Sequence, residues 1–319
     1  MNVEHLLDVF TTIDATSGGA WGACGDFMKH LYWHKPRVVT LGGKIEALSD
    51  DHPSKPECLI RLSRLMHRVA KSTESKRLLT NASNLSRERG DDRQLARALG
   101  YLSRVHFFAG SYVEGIRQAE EASAIFERLG DAVQQALCLN VLALSLCAEK
   151  QFDAAEEAVS RAIHLLPEEG ERFLVAGCEF TLGYLCREKG DRKKAIHHFE
   201  AALGIASSFN WNDMLFWTFY FLARLFYDEG RVDDAFAHIG HAKSHAANEH
   251  DTILLGQATA RHAVFLNGQH RFEEARSEAL AAVDLFQKVR AADRVESVRE
   301  LLLRIDSDAQ ENGQFSPPS

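Results

Sequence analysis

Gly190-Asp191-Arg192-Lys193-Lys194-Ala195-Ile196-His197-His198-Phe199-Glu200-Ala201-Ala202-Leu203-Gly204-Ile205-Ala206-Ser207-Ser208-Phe209 decides the fold of this chain. It opens with a Gly-Asp turn and continues as a helix with Ala195, Phe199, Ala202 and Leu203 on one face. An Ala-x-x-x-Phe-x-x-Ala spacing marks the second helix of a helix-turn-helix repeat. Stepping by 40 from Arg192 lands on Tyr112, Phe152, Val232 and Phe272. The small residue three further on is Gly115, Ala155, Ala195, Ala235 and Ala275; seven after that come Ala122, Ala162, Ala202, Ala242 and Ala282. A weaker copy lies one period earlier, with Ser75, Leu79 and Ala82 in the same slots.

The composition of the 319 residues agrees with a repeat array. A hydrophobic content of 45% supplies a continuous core, and only 6 prolines interrupt the chain. Helices need that scarcity, since an internal proline removes a hydrogen bond and clashes with the preceding turn. The formal net charge of −8 gives no reason to expect nucleic-acid binding. Charge is unevenly spread: residues 35–109 hold 15 Lys and Arg against 8 Asp and Glu, whereas residues 110–319 hold 21 against 33. Such imbalances ordinarily belong to solvated helix faces.

The 6 cysteines show no CxxC spacing. Cys58, Cys138 and Cys178 share one phase of the repeat, where the other copies carry Ala98, Thr218 and Ala258. A slot filled by Cys, Ala or Thr is a small-residue packing position, which argues against disulfides and for a reducing, cytoplasmic compartment. No apolar run has signal-peptide character or bilayer length, so no membrane association is expected. Neither the glycine-rich stretch 16–25 nor Leu41-Gly42-Gly43-Lys44-Ile45 meets the phosphate-binding pattern, because the first lacks lysine and the second lacks both the leading glycine and the hydroxyl. No cofactor is expected.

In order, residues 1–55 read as N-terminal helices with a glycine-rich linker, and 56–292 as about six helix pairs. First helices are expected to start near Pro56, Gln94, Ala132, Arg172, Asp213 and Leu255. Second helices are expected from near Glu74, Val113, Asp153, Arg192, Val232 and Phe272. Gly90-Asp91, Gly130-Asp131, Gly170-Glu171 and His250-Asp251 punctuate the unit ends, a stop signal followed by an N-capping acid. Residues 293–305, with Val295, Val298, Leu302 and Ile305 apolar, form a C-terminal capping helix, and the polar 306–319 a disordered tail.

Ala195 and Phe199, Leu182-Gly183 and Pro167 resemble the signature of the tetratricopeptide (TPR) family in a longer, 40-residue variant. The resemblance implies an all-α, TPR-like α-solenoid: a right-handed superhelix of antiparallel helix pairs. Gly115 and Ala119 in one copy, and Ala279 in another, depart from the small-plus-aromatic pair, so the signature does not supply the packing there. More narrowly, Leu31-Tyr32-Trp33-His34-Lys35-Pro36-Arg37, Ser75-Lys76-Arg77-Leu78-Leu79-Thr80 and Ala195-Ile196-His197-His198-Phe199-Glu200 are similar to the C-terminal repeats of fungal NACHT- and AAA-type signalling ATPases. That resemblance implies a sensor arm with an ATPase partner, or an ATPase domain missing from this sequence.

In helical repeats the first helices line the concave surface. The repeat phase then places Arg64 and His67, Arg104 and Phe107, and Asn140 in it. Phe180, Tyr184 and Arg187 follow, then Trp217, Tyr220, Arg224 and Tyr227. Arginine and aromatic side chains offer large contact area and hydrogen bonding at low entropic cost. The aromatic ones also suit packing between neighbouring first helices. The peptide-carboxylate clamp of chaperone-binding TPR proteins is not matched, since its slots read Gly100 and Arg104, or Phe180 and Tyr184.

His238, His241 and His245 share a helix face at i, i+3, i+7, but they lie between core positions and are expected to be outward and solvated, so no metal site is assigned. The adjacent His197 and His198 are expected to point apart. No nucleophile-base constellation or paired-acid geometry emerges, and the chain is not expected to be an enzyme. The reading is a protein-interaction or sensor module that binds a protein or peptide, acidic ones included, in the groove. The alternative is a regulatory subunit binding a small anionic effector.

Each repeat buries its apolar face only against its neighbours. A chain ending at Ala292, without the cap, is therefore expected to expose the last pair and aggregate. Retained solubility with an unchanged melting temperature would count against the cap.

Overall fold

The structure is a computed structural model that describes residues 45–68, 72–166, 171–208, 211–249 and 251–312. The expectations for residues 1–44, Pro167, Gly170 and the last seven residues lie outside these, as does the side chain of His67. Among the described residues there are 13 α-helices and no strand.

The chain divides into two compact units, residues 1–209 and 210–319. In the first, α1 (Lys55–Arg68) and α2 (Ser72–Glu88) form a pair, as do α3 (Asp92–Phe108) and α4 (Tyr112–Arg128). Next come α5 (Ala132–Ala148) with α6 (Phe152–His164), and α7 (Arg172–Glu188) with α8 (Arg192–Ser208). The second unit holds α9 (Asn212–Asp228) with α10 (Val232–Asn248), α11 (Thr252–Gly268) with α12 (Phe272–Lys288), and a last helix α13 (Ala292–Glu311). The expected array of 56–292 is thus continuous in phase but divided in its packing.

The turns set the pitch. Gly90 and Gly130 adopt left-handed φ of 69° and 67°. This lets Asp91 N donate to Ser86 O (2.9 Å) and Asp131 N to Phe126 O (3.0 Å), closing each helix with a Schellman bond. The same aspartates then cap the next helix, their carboxylates accepting from Gln94 N (3.0 Å) and Gln134 N (3.3 Å). That cap is why α3 starts at Asp92 rather than Gln94; Asp251, accepting from Ile253 N and Leu254 N, starts α11 at Thr252 in the same way. Lys150, His270 and Arg290 hold φ near 60° without glycine (60°, 58° and 57°), so the turn is imposed by helix packing as well as by residue type. Glu171 departs from expectation: its φ is +37° and its side chain makes no cap.

The in-phase small residues are where the helices meet. Ala82, Ala122, Ala162, Ala202, Ala242 and Ala282 all have 0% exposure. On the first helices the Cys58 slot is equally closed; the Cys58, Cys138 and Cys178 thiols are free, and burial pushes them up to about 11, 12 and 12. Leu203, expected on the core face of α8, is only half-buried, and Ala206 takes the place below Ala202. The departures from the repeat signature are nevertheless packed, with Ala119 and Ala279 both at 0%. In the fourth pair, Phe199 lies against the backbone of Gly183; in the last, Phe286 lies against Gly256. The ring has moved seven residues along the second helix and the glycine seven back along the first, relative to the 263/279 positions equivalent to 183/199. In an antiparallel pair these shifts run the same way, so the contact is conserved at another level.

Two boundaries differ from the sequence reading. Ile45, 1% exposed, joins the core of α1 and α2. The buried ammonium of Lys55 donates to Glu46 O (3.3 Å) and Leu48 O (2.6 Å) and pairs with Asp50 (2.5 Å), so residues 45–55 are packed against the first pair. At the other end, the helix expected to stop at Ile305 runs to Glu311, because Ala309 adds a buried turn (1% exposed) and Asp308 accepts from Asn267 of α11 (2.5 Å).

In the second unit, Lys243 of α10 and His262 of α11 converge on Glu278 of α12, at 2.7 Å and 3.4 Å. Burial opposes ionisation of this carboxylate, but hydrogen bonds from His262 and Lys243 and their charges win, holding it down at about 2. The folded state therefore binds fewer protons than the unfolded one near pH 4. The resulting stabilisation is complete above the ordinary value of 4.5 and is lost as pH falls toward 2.

Glu278→Gln should lower stability at neutral pH by roughly 2 kcal/mol and flatten the melting profile between pH 4.5 and 2. Packing gives a second expectation, with opposite signs at two glycines. A Cβ on Gly183 would stand 2.9 Å from Cδ1 of Phe199, a ring with 0% exposure and no room to yield. Gly183→Ala should therefore destabilise by about 1–3 kcal/mol despite its better helix propensity. Gly204 on α8 has nothing within 4 Å, so Gly204→Ala should stabilise by about 0.5–1 kcal/mol. Denaturant titration of the two variants checks the pair.

Candidate partner-binding surface

Within the first unit α1 packs on α3, α3 on α5 and α5 on α7; within the second, α9 packs on α11 and α11 on α13. Among the described residues no two second helices make comparable contact. A row of helices that touch along one side and separate along the other curves toward the touching side. The first helices therefore form the inner layer of each unit.

Of the twelve side chains expected on that layer, the eleven that are described, all but His67, are half-buried, held by neighbours while keeping an exposed portion. In the first unit, the Arg64 guanidinium lies 5.2 Å from the Tyr101 ring centroid, carrying α1 to α3. Arg104 lies over Phe108 (5.8 Å), and Phe107 contacts both Phe108 (5.4 Å) and Tyr112 (5.8 Å) at the α3–α4 turn. Asn140 accepts from the Thr181 hydroxyl (2.7 Å), linking α5 to α7. Phe180 leans back on the second-helix ring of Phe199, edge-on at 5.4 Å, so it is more wall than contact surface. Tyr184 packs against the core of the α5–α7 region, and burial pushes its phenol up to about 12. Arg187 covers that ring at 4.6 Å and pairs with Glu188.

In the second unit, Trp217 is edge-on to Tyr220 (5.8 Å) and stacked with Phe221 (6.0 Å). Tyr227 stacks on Phe265 at 4.3 Å with an 8° tilt, and its hydroxyl donates to the Phe265 carbonyl (3.2 Å). Tyr227 thus serves as an inter-helix tie. Arg224 stays half-buried between these rings in sequence, one turn on from Tyr220. The row expected to run from Arg187 to Tyr227 is divided between the units: Arg187 belongs to the first, and Trp217, Tyr220, Arg224 and Tyr227 to the second.

Several residues of this layer were not singled out from the sequence. Tyr101 and Arg261 occupy one slot of the repeat, four residues beyond the Arg97 and Gln257 positions. Each receives or gives a contact to the preceding first helix: Arg64 to Tyr101, and Arg261 Nε to the Tyr220 hydroxyl (3.3 Å). The signal was the same 40-residue phase, read one slot over. Glu57, between Arg61 (2.6 Å) and Arg97 (3.6 Å), is a further charge of the inner layer; burial opposes its ionisation, and the two guanidiniums together bring it below the ordinary range.

The histidine expectations need correction. His241 is exposed as expected, but His238 and His245 are half-buried, and the three rings surround that of Phe219 at 5.7, 5.0 and 5.6 Å, because α9 turns that ring toward α10. His238 also meets Phe226 (4.9 Å). Burial, and then the neighbouring His241, lower the pKa of His245. His197 and His198 do not point apart cleanly, since their rings sit 5.6 Å apart edge-on, and His198 Nδ1 lies 2.8 Å from Glu179. Among the described residues no group of three His, Cys, Asp or Glu is placed to hold a metal ion, and no helix is long and apolar enough to cross a membrane.

No family model matches the sequence, and no curated protein matches it. Solved structures do. A Rap protein complexed with Competence and Sporulation Factor is similar over 87% of this chain and 81% of its own, at 15% identity and a TM-score of 0.64. The Rap conjugation gene regulator of plasmid pLS20, in complex with the Phr* peptide, is similar over 79% of this chain and 76% of its own, at 14% identity and a TM-score of 0.57. A signal transduction ATPase with numerous domains and a tetratricopeptide repeat sensor, from Pyrococcus horikoshii, is similar over 82% of this chain and 41% of its own, at 13% identity and a TM-score of 0.54. At such identities the likeness speaks for fold. With its in-phase helix pairs, small-residue slots and inner layer of first helices, the chain is a TPR-like helical-repeat protein.

Proposed function

We propose that this chain is a non-catalytic interaction or sensor module that binds a protein or peptide on the inner layer of its first helices. The observation that carries the reading is the second unit's α9, where Trp217, Tyr220 and Arg224 are each held yet part-exposed along one helix face. Rigid rings and a guanidinium at such positions are the usual anchors of binding surfaces, because little rotamer freedom is lost on contact. The fold's likeness to a Rap regulator bound to a peptide supports the ligand class, and its likeness to an ATPase with a TPR sensor supports a sensor arm, working with an ATPase as partner or domain. Four buried thiols used as packing residues suit a cytoplasmic setting.

A pull-down from native extract, followed by titration with the recovered partner, tests the reading. Arg224→Glu should weaken binding by about 2 kcal/mol or more with helix content unchanged. Lys288→Gln, on the exposed side of α12, should leave it intact. Equal behaviour of the two variants would overturn the inner-layer reading. A thermal-shift comparison of peptides with small anions separates it from an effector-binding subunit.

A further inference from the structure

Two arginines of the second unit have seats but, among the described residues, no counter-charge. Arg261 of α11 is half-buried, its Nε donating to the Tyr220 hydroxyl (3.3 Å) and its guanidinium 5.9 Å from that ring's centroid. Arg294 of α13 is half-buried against the Phe286 ring (5.8 Å). With its amide oxygen turned toward α13, Gln257 accepts from the Arg294 guanidinium (3.0 Å). Among the described residues neither guanidinium has a carboxylate at ion-pair distance. By contrast Arg231, Lys243 and Arg271 of the same unit are paired, with Asp234 (2.7 Å), Glu278 (2.7 Å) and Glu274 (2.6 Å). The terminal nitrogens of Arg261 make no hydrogen bond among the described residues and are not sealed from solvent.

We infer that Arg261 and Arg294, set on either side of Gln257, recognise two carboxylates of an acidic peptide segment. The inference rests on the inner-layer reading above and assigns its chemistry to one place. Arg261 reaches from α11 toward Tyr220 of α9, whereas Arg294 reaches Gln257 from α13, so the two guanidiniums sit apart rather than converging on one point. Two separate positive charges suit two acidic side chains on one face of an extended chain better than the oxygens of one phosphate. Tyr220 joins Arg261 directly, and Trp217 lies 5.8 Å from Tyr220, so an apolar side chain of the same peptide has a surface beside the charges. Because both guanidiniums are already braced by aromatic rings and by Tyr220 or Gln257, little side-chain freedom is lost when a carboxylate arrives.

The test uses the full chain and a fluorescein-labelled peptide alternating glutamate with tyrosine, its lysine counterpart, and inorganic phosphate as competitor. The acidic peptide should bind, the lysine peptide should not, and phosphate should compete only weakly. The double variant Arg261→Gln, Arg294→Gln should weaken binding about tenfold or more and reduce its salt dependence. Arg271→Gln, at the residue before α12, should change nothing, and circular dichroism should show the same helix content throughout. Unchanged binding in the double variant overturns the site; if Trp217→Ala still weakens the peptide, the inner-layer reading survives that failure. Phosphate competing as well as the free acidic peptide overturns the peptide assignment in favour of a small anion. Absence of binding by the unaltered chain overturns the site as stated, and the partner titration then judges the inner layer separately.

Discussion

The close approach of two antiparallel helices at small side chains is what the rest of this structure depends on. Each first helix carries closed slots at the Cys58 and Ser63 phases, and each second helix carries an alanine with no exposed surface. These contacts let the axes come within helix-packing distance, and everything larger must fit around them. Phe199 against Gly183 and Phe286 against Gly256 are two solutions to the same problem, with ring and glycine moved together along an antiparallel pair. The pairwise sum of volume and shape is kept while individual residues vary. This explains why a copy without its signature aromatic still packs.

The turns provide the other half of the constraint. A left-handed residue recurs at positions 90, 110, 130, 150, 190, 230, 270 and 290, in steps of 20 or 40, whether the turn lies within a pair or between pairs. Glycine takes most of these positions because it pays no steric penalty there, but Lys150, His270 and Arg290 are held in the same conformation by the helices they join. Equal turns make equal helices, and equal helices bring side chains 40 residues apart to corresponding places on adjacent first helices. The inner layer is a consequence: first helices touch, second helices separate, and side chains at one phase become a row.

A row of this kind is partly structural. Arg64 on Tyr101, Asn140 with Thr181, Tyr220 with Arg261 and Tyr227 on Phe265 all join one first helix to the next. The same groups that tie the layer also hold the part-exposed side chains still. This dual use leaves those side chains little freedom to lose, which is what the proposed binding surface requires. The two units differ in the charge they offer: the arginines at the start of the first share Glu57, whereas among the described residues Arg261 and Arg294 of the second rest on rings and polar groups.

The repeat period, the helix phase, the small-residue slots and the residue types of the inner layer were all legible in the sequence. Each depends on local geometry: a side chain's place on a helix follows from its number, and a 40-residue step returns to the same place. Tertiary structure alone decided the rest. Phe180 leans back on Phe199 and Tyr227 is bound to Phe265 because those outcomes depend on the shape of the neighbouring helix. His238, His241 and His245 close around Phe219, a residue 19 to 26 positions away that no single-helix pattern connects to them. The same is true of Ile45 in the first core, of Asp308 reaching Asn267, and of the division of one in-phase array into two units. Periodicity specifies which face a residue occupies; what meets it there is set by the packing of segments far apart in the chain.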